Sequence, residues 1–158
     1  MFAFADRYPV AAATLAAIIV LGSAYGFQFA GYPPCEMCWW QRYPYMAAIA
    51  FGLVALLLGR AGDQRLMWLF ALLFLTTSAI GAFHVGVENK WWDGPAHCSG
   101  ALDLTGSVED ALAALQDAPL VRCDAAAWRL FGISMAGYNA MVGLALAFFS
   151  LRAARRKD

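Results

Sequence analysis

The sequence predicts an all-α membrane protein, a four-transmembrane-helix bundle with a long second outer loop. Three observations carry this. Four stretches hold no Asp, Glu, Lys or Arg: Tyr8–Cys35, Tyr43–Gly59, Leu66–Val87 and Leu130–Leu151. Each reaches the roughly 17–25 residues that a helix needs to cross a bilayer core, the second only just. The 158-residue chain is 62% hydrophobic and 14% charged, against about 45–50% and about 25% in an average soluble domain. In a soluble protein of this length too little chain would remain to cover four such runs. The chain therefore reads as a single integral membrane domain over 1–158.

The first helix is expected from about Pro9 to Ala30. "GYPP" ends it, because Pro33 and Pro34 lack backbone donors and push the preceding residues out of helical geometry. The first outer loop, about 31–37, is thus very short. The second helix is expected from about Cys38 to Leu58, with Pro44 tolerable in its first turn and a source of a kink if the helix starts earlier. "GRAGDQR" makes a tight turn, and the third helix follows from about Leu66 to Val87. The fourth is expected from about Phe131 to Leu151, with "RAARRKD" as an anchor.

The loop between, about 88–130, is too small to hold a core of its own. Inside it "TGSVEDALAALQDAP" predicts a short helix: Ser107 and Asp110 fit a capping box, and Val108, Ala111, Leu112 and Leu115 recur at helical spacing. Its apolar face can lie on the membrane surface or pack on the bundle top.

The net charge is zero, but its distribution is uneven. An even number of spans allows both termini to be cytoplasmic. That side then carries Arg7, Arg60, Arg65, Arg152, Arg155, Arg156 and Lys157, and the other Arg42, Lys90, Arg122 and Arg129. Lys and Arg in short loops favour the cytoplasm, so the orientation stands. The first run resembles a cleaved leader up to "GSA", but it continues past Ser23 through Tyr25, Phe27 and Phe29, which favours a retained span. All four cysteines then face outward, where a bacterial-type cell is oxidising and disulfides persist.

Cys35 and Cys38 form a Cys-x-x-Cys pair at the start of the second helix. A cysteine at a helix N-terminus near an arginine has its thiolate favoured, and the thiolate is the reactive form. Arg42 lies one turn after Cys38 on the same face; it is either that partner or an anchor snorkelling to the interface. Trp39, Trp40, Tyr43 and Tyr45 fit an aromatic belt better than a binding box. A Cys35–Cys38 bridge closes too small a loop to constrain much of the unfolded chain, which favours redox use over a static role.

Zinc is disfavoured: His84 and His97 could join the cysteines, but there is only one Cys-x-x-Cys, and Cys98 and Cys123 stand far apart. No metal is expected. Covalent haem would need His at position 39, which is Trp. Cys98 and Cys123 can form a second disulfide, either to pin the long loop or to exchange with the first pair. Two adjacent pairs make a relay that needs an electron acceptor, and in a bilayer the available one is a lipid-soluble quinone. His84, near the outer end of the third helix, is either functional or satisfied by a neighbouring helix.

Three segments carry a resemblance: "CEMCWWQRYPY", "FHVGVENKWWDGPAHC" and "RCDAAAWRLFGISMAGYNA". In layout and motif they resemble the DsbB family of quinone-dependent membrane disulfide-forming proteins, over nearly the whole chain. The resemblance implies a thiol oxidase of the bacterial inner membrane that takes electrons from DsbA, a thioredoxin-fold oxidase of the periplasm. It implies that Cys98 forms the mixed disulfide with that partner and that Cys123 passes electrons to Cys35 through a transient Cys35–Cys123 bond. Cys38 would engage the quinone, ubiquinone or menaquinone, with Arg42 stabilising the developing charge and His84 nearby. Gln41 departs from members with an acidic residue there. A vitamin K epoxide reductase-like enzyme is disfavoured because its quinone-side Cys-x-x-Cys comes late in the chain, whereas here it comes first. A non-enzymatic scaffold with two static disulfides, Cys35–Cys38 and Cys98–Cys123, is the remaining alternative.

Overall fold

The computed structural model describes residues 2–95, 98, 107 and 121–156. The short helix expected over 105–119 lies outside them apart from Ser107, and His97 lies outside them too. Among the described residues a short helix, α1 (Phe2–Arg7), precedes four long ones: α2 (Pro9–Phe29), α3 (Glu36–Leu57), α4 (Leu66–Glu88) and α5 (Met135–Ala154).

α2 opens with Pro9 at its first turn, where the missing N–H costs no internal bond. It ends before Gly31, whose φ of 96° only glycine adopts readily. α3 begins at Glu36, earlier than the expected Cys38. The Cys35 side chain accepts the Cys38 N–H at 3.3 Å and so caps the helix. The earlier start puts Pro44 inside the helix, where it removes one backbone bond.

α5 also departs from expectation, starting at Met135 rather than Phe131. A two-stranded hairpin takes the intervening residues: β1 (Arg129–Leu130) pairs antiparallel with β2 (Ile133–Ser134). Its turn residues, Phe131 and Gly132, both have positive φ, as a tight hairpin turn demands. Ser134 then caps α5 by accepting the Gly137 N–H at 3.2 Å.

Small residues let the helices approach closely. A Cβ on Gly143 of α5 would lie 3.1 Å from the Phe74 carbonyl oxygen on α4, and one on Gly81 of α4 3.0 Å from the Ala136 carbonyl. Gly52 of α3 faces Thr14 of α2, where a Cβ would fall 1.9 Å from the hydroxyl. Around these approaches Val10, Ala13, Ala17, Tyr45, Ala48, Met67, Phe70, Phe74 and Ala147 form the core.

The outward faces are apolar instead of polar. Ile19, Leu53, Val54, Leu57, Leu72, Leu144 and Phe148 are all exposed, an arrangement suited to lipid and not to water. α2 and α4, of 21 and 23 residues, are long and apolar enough to cross a membrane; α3 and α5 match them in length but are less apolar. One end of the bundle gathers α1, the end of α5 and the α3–α4 turn: Asp6 pairs with Arg156, and Val10 donates to the Ala61 carbonyl at 3.1 Å. The opposite end carries the cysteines.

Gly52→Ala should lower the melting temperature in detergent, with a loss of about 1–3 kcal/mol, because Thr14 or its helix must move. Gly22→Ala, with open space around the new methyl, should leave melting unchanged or raise it slightly. Equal melting of both variants would contradict the packing.

Candidate active site

The proline stop after α2 and the cap on α3 bring Cys35 under the end of the bundle opposite the α3–α4 turn, where it is 4% exposed. Its sulfur is 2.8 Å from that of Cys38. These two are free cysteines in hydrogen-bond contact, so the expected Cys35–Cys38 bond is open in this structure. Cys98 and Cys123 are joined by a disulfide and fully buried. The Cys123 N–H also donates to the Cys98 carbonyl at 2.8 Å.

The two pairs meet. The sulfurs of Cys35 and Cys123 and a ring nitrogen of His84 all lie within 4.8 Å of one another. His84 is buried, with Nε2 3.7 Å from Cys35 Sγ and 3.2 Å from the Cys123 carbonyl oxygen. Such a trio has the spacing of a metal site, but the Cys123 sulfur is already bonded to Cys98. What the contact does allow is thiol–disulfide exchange, in which a thiolate attacks a disulfide sulfur and releases its partner.

Hydrogen bonding to Cys38, and burial after it, push the Cys35 pKa up. Next to Cys123, Arg122 grips Asp124 through two hydrogen bonds of 2.8 and 2.6 Å. The guanidinium holds the Asp124 carboxyl below its ordinary pKa, which ties the chain beside the disulfide.

Arg42 faces α2. Nη1 donates to Gln28 Oε1 at 2.6 Å and Nη2 to the Ala24 carbonyl at 3.2 Å, and the guanidinium sits 4.8 Å from the Tyr25 ring centre and 4.9 Å from that of Trp39. It is a buried, partnered cation and not a snorkelling anchor. Trp39 therefore packs inward, and Tyr45, expected in an aromatic belt, is buried and donates to Asn139 Oδ1 at 2.9 Å.

A cavity of about 400 Å³ opens beside the sulfurs. Val20, Leu21, Ala24 and Phe27 of α2 and Val142 of α5 supply apolar wall, while Cys38, Arg42 and His84 bring polar groups to its edge. Apolar walls with a few convergent polar groups suit a ligand that is mostly hydrocarbon with one polar end. Trp128 lies against Phe27, ring centres 5.0 Å apart, and lines the same space.

Several site residues had not been singled out from the sequence. Glu88, one turn after His84, has a side chain only 5% exposed, Oε1 3.9 Å from His84 Nε2, and an Oε2 with no hydrogen-bond partner among the described residues. Gln28, Thr77 and Asn139 join buried contacts around Arg42 and Gln41. Their common signal is a polar residue within or at the end of an apolar run, which in a membrane demands a partner.

The family described as "Disulfide bond formation protein DsbB" matches residues 6–153. A relative from Rickettsia prowazekii (strain Madrid E), named "Uncharacterized protein RP370", is 28% identical over 149 residues, covering 91% of this chain and 86% of its own length. No solved structure matches the chain.

With Cys98–Cys123 closed, an alkylating reagent at about pH 8 should modify Cys38 about tenfold faster than Cys35. A raised pKa leaves Cys35 protonated there, and the half-buried Cys38 is easier to reach. Peptide mapping by mass spectrometry reads the two rates; equal or reversed rates would contradict the arrangement.

Proposed function

The chain belongs to the DsbB family of disulfide bond formation proteins, and from that premise we propose that it is a quinone-dependent thiol oxidase. It reoxidises a DsbA-like, thioredoxin-fold donor in the periplasm of a bacterium and passes the electrons through its two cysteine pairs to a membrane quinone. Family membership and the two apolar helices point to an integral membrane protein that forms disulfides. The observation that carries the finer reading is the approach of Cys35 Sγ to the Cys98–Cys123 disulfide, within 4.8 Å at Cys123 Sγ.

In this reading the chain is one domain with four spans in the inner membrane, both termini cytoplasmic and the cysteines periplasmic. Support comes from the cysteines gathering at one end of the bundle and Arg60, Arg65, Arg155 and Arg156 at the other.

The partner's thiolate attacks Cys98; a bond forms to Cys98, the Cys98–Cys123 bond breaks, and Cys123 leaves as a thiolate. Cys98 is fully buried, so the partner must first gain access to it. Cys123 then attacks Cys35 of an oxidised Cys35–Cys38 pair, forming Cys35–Cys123 and releasing the Cys38 thiolate. The partner's second thiol resolves its mixed disulfide and frees Cys98, which attacks Cys123 and restores Cys98–Cys123. Cys35 and Cys38 are left as the reduced pair. The form with Cys98–Cys123 closed and Cys35 and Cys38 free is thus the electron-loaded one.

The cavity fits a quinone. Val20, Leu21, Phe27 and Val142 would hold its apolar body, and Arg42, with guanidinium N–H groups beyond those given to Gln28 and Ala24, would bind its oxygen. A bound quinone supplies the acceptor for two electrons and two protons. Cys38, at the cavity edge, would be the sulfur that hands the pair over, with Arg42 stabilising the charge that develops.

Anaerobic turnover of the purified chain with a reduced DsbA-like partner and ubiquinone or menaquinone tests this. Cys38→Ser should abolish quinone reduction. Arg42→Ala should slow it by about 10–100-fold, the loss of a charged hydrogen-bond donor. Unchanged quinone reduction in both folded variants would sink the reading.

A further inference from the structure

Gln41 and His84 are linked by a hydrogen bond of 2.9 Å between Gln41 Nε2 and His84 Nδ1. Its direction can be derived. Gln41 Nε2 also lies 3.1 Å from the Met37 carbonyl oxygen, which can only accept. The nitrogen of the amide must therefore be on that side, and its second hydrogen points at Nδ1. On the other side Gln41 Oε1 accepts from Asn139 Nδ2 at 2.8 Å. Asn139 is fixed by the same logic: Nδ2 lies 3.3 Å from the Thr77 carbonyl oxygen, and Oδ1 accepts the Tyr45 hydroxyl at 2.9 Å.

The chain of bonds thus runs one way: Tyr45 to Asn139, Asn139 to Gln41, Gln41 to His84. An Nδ1 that accepts carries no proton, so a neutral His84 has its proton on Nε2. That N–H faces the Cys123 carbonyl oxygen at 3.2 Å and the Cys35 sulfur at 3.7 Å.

We propose that Gln41, held by Asn139, is a positioning residue that locks His84 as the Nε2–H tautomer, so that His84 donates to the Cys35 sulfur while it exchanges with Cys123. The inference rests on the thiol-exchange reading of the site. The step it assists moves no net electrons: Cys35 thiolate attacks Cys123 Sγ, the Cys35–Cys123 bond forms, the Cys98–Cys123 bond breaks, and the negative charge passes to Cys98. In the reverse direction the same donor stabilises Cys35 as the leaving thiolate. Gln41 makes no hydrogen bond to either reacting sulfur among the described residues and acts through the imidazole. An amide does what a carboxylate could not: it donates to Nδ1, whereas a carboxylate would draw a proton onto it.

The test is nitrogen-15 NMR of the full chain labelled at histidine, in detergent, with His84→Gln assigning the signal against His97. Near neutral pH the wild-type His84 should show a protonated Nε2 and a bare Nδ1. Gln41→Glu should put a proton on Nδ1, and Gln41→Leu should give a mixture of tautomers. In both variants the exchange between Cys98–Cys123 and Cys35–Cys123, followed by acid trapping and mass spectrometry, should slow by about tenfold. A wild-type His84 protonated on Nδ1, or an exchange rate unchanged in Gln41→Leu, overturns the proposal; the wild-type spectrum decides even if the variants do not fold. A wild-type chain that oxidises no partner thiol would instead sink the functional reading, and the tautomer would still be read independently.

Discussion

The Cys35 sulfur accepts the backbone N–H of Cys38, and the working end of the molecule is organised around that cap. It begins α3 at Glu36 and so sets the rotational phase of the helix. With that phase Cys38, Gln41, Arg42 and Tyr45 all border the cavity, as residues three and four apart on one face must. The prolines before it prevent α2 from running on and hold the cap residue close under the bundle end. The Cys35 sulfur is therefore also a structural atom, so the geometry of the helix start and the placement of the dithiol are linked.

The second organising condition is the shortage of water along the bundle axis. A polar side chain there must find a protein partner or carry a large desolvation cost. Thr77, Asn139, Gln41 and Tyr45 meet this by bonding to one another across α3, α4 and α5. Each has only a few possible partners, and backbone carbonyls fix which way the amides face. The network thereby becomes directional and ends on His84. Arg42 solves the same problem differently, with an amide oxygen, a backbone carbonyl and two aromatic faces. Glu88 is the exception, a carboxyl side chain at the same site with one buried oxygen unpartnered among the described residues.

A dithiol at the membrane edge has two neighbours of opposite character. On one side lies the Cys98–Cys123 disulfide, which in the proposed function a water-borne partner would meet. On the other the apolar cavity belongs to the bundle. Cys35 packs by the first and Cys38 borders the second, so in the proposed function the two sulfurs of one Cys-x-x-Cys would divide the work between an aqueous protein and a lipid-borne acceptor.

Much of the fold was legible along the chain. Apolar runs place long helices because hydropathy over a bilayer's thickness is a local property, and "GYPP" ends α2 because proline acts on its immediate neighbours. The boundaries that moved did so for reasons outside propensity: a sulfur cap lengthened α3, and a hairpin closed by Phe131 and Gly132 delayed α5. Of the site, the residue types and the end of the bundle they share could be read, as could the shared face of Cys38 and Arg42. The sequence by itself determined which groups share one end of the bundle, since that follows from the order of the long helices. Only the tertiary structure decided which of them touch. Gln41 meets Asn139 across 98 residues and His84 meets Cys35 across 49. Contacts so distant in the chain depend on how helices pack and rotate against one another, which no local pattern encodes.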